Sequence, residues 1–220
     1  MKPTNLPSVY KQQDKLYTSV TKKSKKIKVY NEKIIQKNGK YFRSWNPYRS
    51  KLSAALLKNL DLELKPEYRV LYLGAATGTT VSHISDIVKN GLVYAVENSP
   101  LAAKKLLKVC ENRSNIIPIL KDANHPHMYK SVVPSTVDLV YQDIAQRNQA
   151  EIFISNVKTY LKNNGFGVLM VKARSIDVSM KPKKAYNIVC SKLKENDLKV
   201  NAKLDLKPFE KDHACILIQN

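Results

Sequence analysis

Five polar residues follow apolar runs along this chain: Gly74, Glu97, Asp122, Asp143 and Lys172. In open α/β sheets, ligands bind beyond the carboxyl ends of the strands, so these positions are where chemistry is expected. The most informative stretch is VLYLGAATGTTVSHISDIV, residues 70–88. Val70–Leu73 is too continuously apolar for a half-exposed strand and predicts one buried on both faces. Gly74 ends it, and Gly78 permits a tight turn. Val81, Ile84, Ile87 and Val88 then recur at helical spacing. Backbone N–H groups at the start of that helix favour a negatively charged group, and Thr77, Thr79 and Thr80 add hydroxyls. The glycine spacing is neither the dinucleotide fingerprint nor a phosphate-binding loop, whose Lys is missing. It suits a cofactor that offers a carboxylate and a ribose, such as S-adenosylmethionine. Glu97 ends the next apolar run, LVYAV, 19 residues after Gly78. An acid at about that offset, near 20, accepts ribose hydroxyls in nucleotide-binding β-α-β units. The plain alternative, a turn followed by a solvated Glu, explains either feature alone but not the two together.

Asp122 follows NIIPIL and is placed to meet an adenine amino group. Asp143 and Lys172 end neighbouring apolar runs. A Lys at the end of a fully apolar strand is unusual, because desolvation disfavours its charge. Such a Lys serves as a base or charge stabiliser, or else forms a structural ion pair with Asp143; the residues alone leave both open. His125-Pro126-His127 lacks further ligands, so no metal site is expected. Cys110, Cys190 and Cys215 are odd in number and have no C-x-x-C spacing. They predict reduced thiols, an intracellular location and no zinc.

The elements that must position these residues alternate from residue 69 onward. Strands are predicted at 70–73, 92–96, 115–120, 137–144 and 166–173. Helices are predicted from Thr79, from Ser99-Pro100, at 149–161 and at 180–195. Asn163-Asn164-Gly165 predicts a turn and residues 124–136 a loop. LKVNAKLDL and HACILIQ predict a final antiparallel pair at the sheet edge. Before this, Pro47 is placed at a helix start, with Leu52, Ala55, Leu56 and Leu60 as its apolar stripe. Arg49 and Lys51 then occupy the first turn, the wrong end for cations, and solvated side chains are the simpler reading. Residues 1–44 predict a small antiparallel β subdomain, with pieces at 16–20, 27–30 and 40–43 and a hairpin at Asn38-Gly39. The rest, 45–220, forms the main α/β domain.

Lys and Arg number 38 against 18 Asp and Glu, a net charge of +20. That surplus points to a polyanionic partner, nucleic acid first. No basic amphipathic helix favours a membrane surface. No apolar run approaches the roughly 20 residues of a membrane span, and the polar N-terminus predicts no secretory signal.

Taken together, WNPYRSKL, VLYLGAATGTTVSHISDIV, GLVYAVENS, NIIPILKDANHPHMYK, VDLVYQDIAQ, VKARSID and EKDHA resemble the motifs of the fibrillarin family in its archaeal form. The resemblance covers about residues 40–220; the N-terminal part matches in type only. It implies a Rossmann-like methyltransferase fold, with a seven-stranded, mostly parallel sheet whose last strand is antiparallel. It implies S-adenosylmethionine contacts at Thr79, Thr80, Glu97, Asn98, Asp122, Ala123 and Asp143, and at Ile144, Ala145 and Gln146. It also implies a catalytic set of Lys51, Asp143, Lys172 and His213. Only this match promotes Lys51 and His213. The implied reaction is ribose 2′-O-methylation of rRNA and tRNA, without metal. The implied partners are a C/D box guide RNA and its target RNA, a Nop-type scaffold protein and a kink-turn-binding ribosomal-type protein. The implied location is the cytoplasm, or the nucleolus in a eukaryote. Two residues depart from the family pattern: Asn98 where an aromatic follows the ribose-binding Glu, and Arg147 where proline is common. The competing readings are a guide-independent RNA methyltransferase, a basic RNA-binding protein without catalysis and a protein-glutamine methyltransferase. The missing fingerprint disfavours a nicotinamide dehydrogenase.

Overall fold

The computed structural model describes residues 1–20, 28–133 and 136–220. The N-terminal elements are β1 (Lys2–Pro3), β2 (Val9–Gln12), β3 (Lys15–Val20), β4 (Ile34–Lys37) and β5 (Lys40–Trp45). They form an antiparallel sheet in the order β1-β2-β3-β5-β4. Asn38 and Gly39 turn the β4–β5 hairpin with φ of 48° and 71°, the left-handed values that Asn and Gly tolerate best. Of the strand expected at 27–30, Ile27 lies outside the described residues and 28–30 form no strand. The KKSKK run at 22–26 also lies outside them.

The main domain contains α1 (Lys51–Leu57), β6 (Arg69–Leu73), α2 (Thr79–Ile87), β7 (Leu92–Glu97), α3 (Pro100–Cys110) and β8 (Ile116–Leu120). It continues with β9 (Val137–Gln142), α4 (Gln149–Tyr160), β10 (Leu161–Lys172), α5 (Ala173–Ile176), α6 (Pro182–Lys194), β11 (Lys199–Asp205) and β12 (His213–Gln219). The sheet order is β11-β12-β10-β9-β6-β7-β8. β12 is antiparallel to both its neighbours, and the pairs among β10, β9, β6, β7 and β8 are parallel. Both faces are covered, as a mostly parallel sheet requires. Val70, Tyr72, Leu139, Tyr141, Val168 and Met170 join residues of α1, α2 and α3 in one core. Leu71, Leu73, Val140, Leu169 and Val171 join α4 and α6 in the other.

Several boundaries differ from expectation. α1 starts at Lys51 rather than Pro47, because Ser50 is its N-cap and accepts the N–H of Ser53. Asn163–Gly165 is not a turn before the fifth strand but lies within β10, where the register with β9 shifts and Asn164 has a φ of 60°. That is a bulge, which accommodates the same turn-prone residues. A 3-10 turn at Pro126–Tyr129 falls in the segment read as loop, and the short α5 starts at Ala173, where the fifth strand was expected to end.

The N-terminal sheet is held against α2 by a buried polar cluster. Arg43 is fully buried and pairs with Glu32 at 2.6 Å and Asp86 at 2.7 Å. His83 is stacked on Trp45, with ring centroids 4.9 Å apart. Hydrogen bonds link its Nδ1 to Thr18 Oγ1 (2.9 Å) and its Nε2 to the Tyr30 hydroxyl (2.8 Å). Burial, reinforced by the Arg43 and Arg113 charges, holds the His83 pKa well below its ordinary value.

Candidate functional site

The strand ends of β6, β7 and β9 and the segment after β8 surround a cavity of about 250 Å³. Gly74 allows these pieces to close up. A Cβ on it would lie 2.5 Å from the Asp143 carbonyl oxygen, and its φ is +80°. Gly74 and Ala75 both donate their N–H groups to Val96 O at 3.0 Å, tying the loop to β7. Gly78, at φ +87°, precedes α2 in the left-handed region and leaves that helix without a side-chain cap. The first N–H groups of α2 therefore remain available to a ligand.

Of the residues expected to meet a cofactor, Glu97, Asn98, Asp122 and Ala123 line the cavity on one side and Asp143, Ile144, Ala145 and Gln146 on the other. Glu97 is buried, and its two oxygens accept the N–H groups of Ala76 (2.7 Å) and Ser99 (2.8 Å). Each oxygen retains a further lone pair, the arrangement a vicinal diol needs. Asp122 Oδ1 accepts from the backbone and side-chain nitrogens of Asn124, and these bonds hold its pKa below the usual carboxylate range. Asn124 also donates to Gln146 Oε1 at 3.0 Å, joining the two walls. Asn98 is exposed at the rim. Thr79 and Thr80 do not line this cavity. Thr80 is buried, and its hydroxyl donates to Ser50 Oγ at 3.0 Å.

The other expected set converges beside the cavity on the α1 side of the sheet. Lys172 ends β10 on the face of Val168 and Met170, and His213 starts β12 on the face of Cys215 and Leu217. The two are direct cross-strand partners. Asp143 follows β9 and donates its N–H to Leu73 O at 2.9 Å. Lys51 Nζ donates to both Asp143 oxygens, at 2.9 and 3.0 Å. Lys51 is thus not a solvated cation, and of the two readings left open for Lys172 the ion pair with Asp143 is not formed. Among the described residues, Lys172 forms no side-chain ion pair. Its backbone is instead clamped at both N–H (2.9 Å) and C=O (3.1 Å) by the buried Gln149 side chain. His213 Nδ1 donates to Lys211 O at 2.7 Å, which leaves Nε2 of the neutral ring as an acceptor. Burial lowers the His213 pKa, and Lys51 adds to the effect. Beneath the set, Tyr72 and Tyr141 are stacked with centroids 4.5 Å apart. Burial pushes both phenols far above neutrality, so neither serves as a base there.

Sequence reasoning passed over Ser50 and Gln149. Ser50 Oγ receives the indole N–H of Trp45 at 2.9 Å as well as the Thr80 hydroxyl. Its position directly before the Lys51 helix was the available signal. Gln149 carries no signal, since only the fold brings it to Lys172. Among the described residues no group of His, Cys, Asp and Glu is arranged to hold a metal.

A family model described as Fibrillarin matches residues 2–220. A fibrillarin-like rRNA/tRNA 2′-O-methyltransferase of Methanocaldococcus jannaschii is 48% identical over 191 residues, covering 86% of this chain and 83% of that protein. A chain of a solved fibrillarin/Nop5p complex has a TM-score of 0.87 at 46% identity, with 96% of each chain covered. Aeropyrum pernix fibrillarin, solved with natively bound S-adenosyl-L-methionine, has a TM-score of 0.83 at 38% identity and covers 98% of this chain and 100% of its own. A family match over nearly the whole length, with relatives close to half identical, means that the chain belongs to the fibrillarin family.

Proposed function

We propose that this chain is an S-adenosylmethionine-dependent ribose 2′-O-methyltransferase of rRNA and tRNA, acting with a Nop-type scaffold protein. C/D box guide RNA selects the nucleotide, and a kink-turn-binding ribosomal-type protein anchors that RNA in the particle. The observation that carries this reading is the juxtaposition of Lys51, Asp143, Lys172 and His213 with a cavity walled by Glu97 and Asp122. The relatives named above support it, and the net charge of +20 suits a phosphate backbone.

The donor set fits the cofactor. Glu97 has lone pairs for the ribose hydroxyls, Asp122 Oδ2 for the adenine amine, and the start of α2, with Thr79 and Thr80, has N–H groups for the carboxylate. When bound, the cofactor supplies an already activated methyl group. Much of the protein's task is then positioning of the acceptor ribose. Lys172 receives the 2′-hydroxyl proton or stabilises the charge left on that oxygen. Lys51, neutralised by Asp143, and His213 Nε2 orient the ribose and its phosphate.

Calorimetric titration of the isolated chain should show one-to-one cofactor binding, and the assembled particle should methylate its target. Lys172→Ala should keep the binding and lose the transfer. Near-normal turnover in that variant would sink the assignment, and absence of cofactor binding in the wild type would favour an RNA-binding protein without catalysis.

A further inference from the structure

The two loops that lead into Lys51 and His213 touch each other outside the site. Tyr48, three residues before Lys51, is 61% exposed although it belongs to the segment that caps α1. Its ring meets Phe209 edge to face, with centroids 5.5 Å apart and an interplanar angle of 68°. Phe209 sits in the β11–β12 connection, four residues before His213, and packs against the core. That connection is fixed. Leu206 N–H donates to His213 O and Phe209 N–H to Leu206 O, both at 3.0 Å. Lys58 Nζ donates to Lys207 O at 2.8 Å, tying the same connection to the end of α1.

Both signs of charge occur here, and the cations are the more exposed. Arg49, Lys207 and Lys211 are exposed and form no ion pair among the described residues. The acids of the same connection are turned to other uses. Asp205 accepts the Lys207 N–H, Asp212 is held by Arg174 at 3.0 Å, and Glu210 lies 3.8 Å from His213 Nδ1. An exposed ring braced on Phe209, with unpaired cations around it, suits a ribose-phosphate chain with bases to pack against. An acidic protein surface would use the cations but not the ring.

We propose that Tyr48, propped on Phe209, is a contact platform for the target RNA strand beside the reacting ribose, with Arg49, Lys207 and Lys211 on its phosphates. This rests on the methyl-transfer reading above. Phosphate contacts set register without reading sequence, and an aromatic face accepts any base or sugar, so such a platform serves many targets.

The test uses the full chain assembled with its scaffold protein and guide RNA, and a target RNA carrying 4-thiouridine next to the methylated nucleotide. Irradiation should attach the RNA to the peptide that contains Tyr48. In Tyr48→Ala the KM for target RNA should rise about tenfold, in the range that loss of one stacking contact produces. Tyr48→Phe should remain within about twofold, and the cofactor dissociation constant should be unchanged in both variants. Replacing Arg49, Lys207 and Lys211 together by Gln should flatten the salt dependence of target binding by about 2 in the log–log slope. A wild-type KM in Tyr48→Ala, with cross-links only elsewhere, would overturn the proposal. So would a fall in cofactor affinity parallel to the rise in KM, which would make Tyr48 a clasp between loops and nothing more. A particle that cross-links at Tyr48 but transfers no methyl would defeat the enzymatic reading and leave the platform standing.

Discussion

Ser50 shows how a small side chain governs a large one. It caps α1, receives the Trp45 indole N–H and the Thr80 hydroxyl, and so fixes the turn from which Lys51 reaches Asp143. Ser50→Ala should cost about 1 kcal/mol for the lost cap and about 1–3 kcal/mol for the stranded indole N–H, read by denaturant unfolding. Methyl transfer should fall by about tenfold or more, because the displaced group is Lys51; a 1 Å misplacement can cost about a hundredfold. Lys51 itself was illegible from local sequence. A cation in a first helical turn is unfavourable by itself, and the carboxylate that compensates it lies 92 residues away. His213 was hidden in the same way, since its value comes from being opposite Lys172 across two strands. Glu97 was legible, because a short β-α-β unit fixes its distance from the glycine loop through local geometry alone.

Among the elements, the β6–α2 loop carries the steric demand that bears on the cavity wall. Gly74→Ala would set a Cβ 2.5 Å from the Asp143 carbonyl oxygen at a φ of +80° and push the 143–146 wall outward. Cofactor affinity should drop by more than about tenfold, measured by calorimetry, since each 1.4 kcal/mol of strain is a factor of ten. Gly39→Ala is the control. Its φ is also positive, +71°, but a Cβ there meets nothing within 4 Å. It should cost about 1–2 kcal/mol of stability and leave cofactor affinity unchanged. Gly74 and Gly78, with the apolar runs around them, made the parallel strands legible. Boundaries failed where one residue type serves two geometries. Pro47 suits a turn as well as a first helical position, and Asn163-Asn164-Gly165 suits a bulge inside β10 as well as a hairpin.

For the molecule as a whole, the N-terminal sheet contributes no member of the catalytic set, yet it is joined to α2 through buried charge. Near neutral pH, His83 is unprotonated in the folded chain, whereas an unfolded His titrates near 6.5. Below about pH 6.5 the unfolded chain therefore binds a proton that the folded chain does not, and stability falls as pH drops, by up to about 1.4 kcal/mol per pH unit for one full proton. His213, also depressed by burial, adds in the same direction. Glu32 acts lower. Burial alone would raise its pKa, but Arg43 and the backbone N–H groups around its carboxylate together outweigh that, so its contribution is lost only below about 4.5. Urea midpoints measured from pH 7 to 5 should show the first decline, and His83→Asn should flatten it. The strand order carries a last consequence, for birth rather than for equilibrium. β12 lies between β10 and β11, although it is made after both. Until β12 inserts, β11 has no partner in the sheet and Lys172 has no histidine opposite it. The sheet, the α1-side core and the catalytic set are all completed by the same late insertion, so a nascent chain cannot acquire a working site ahead of a finished fold.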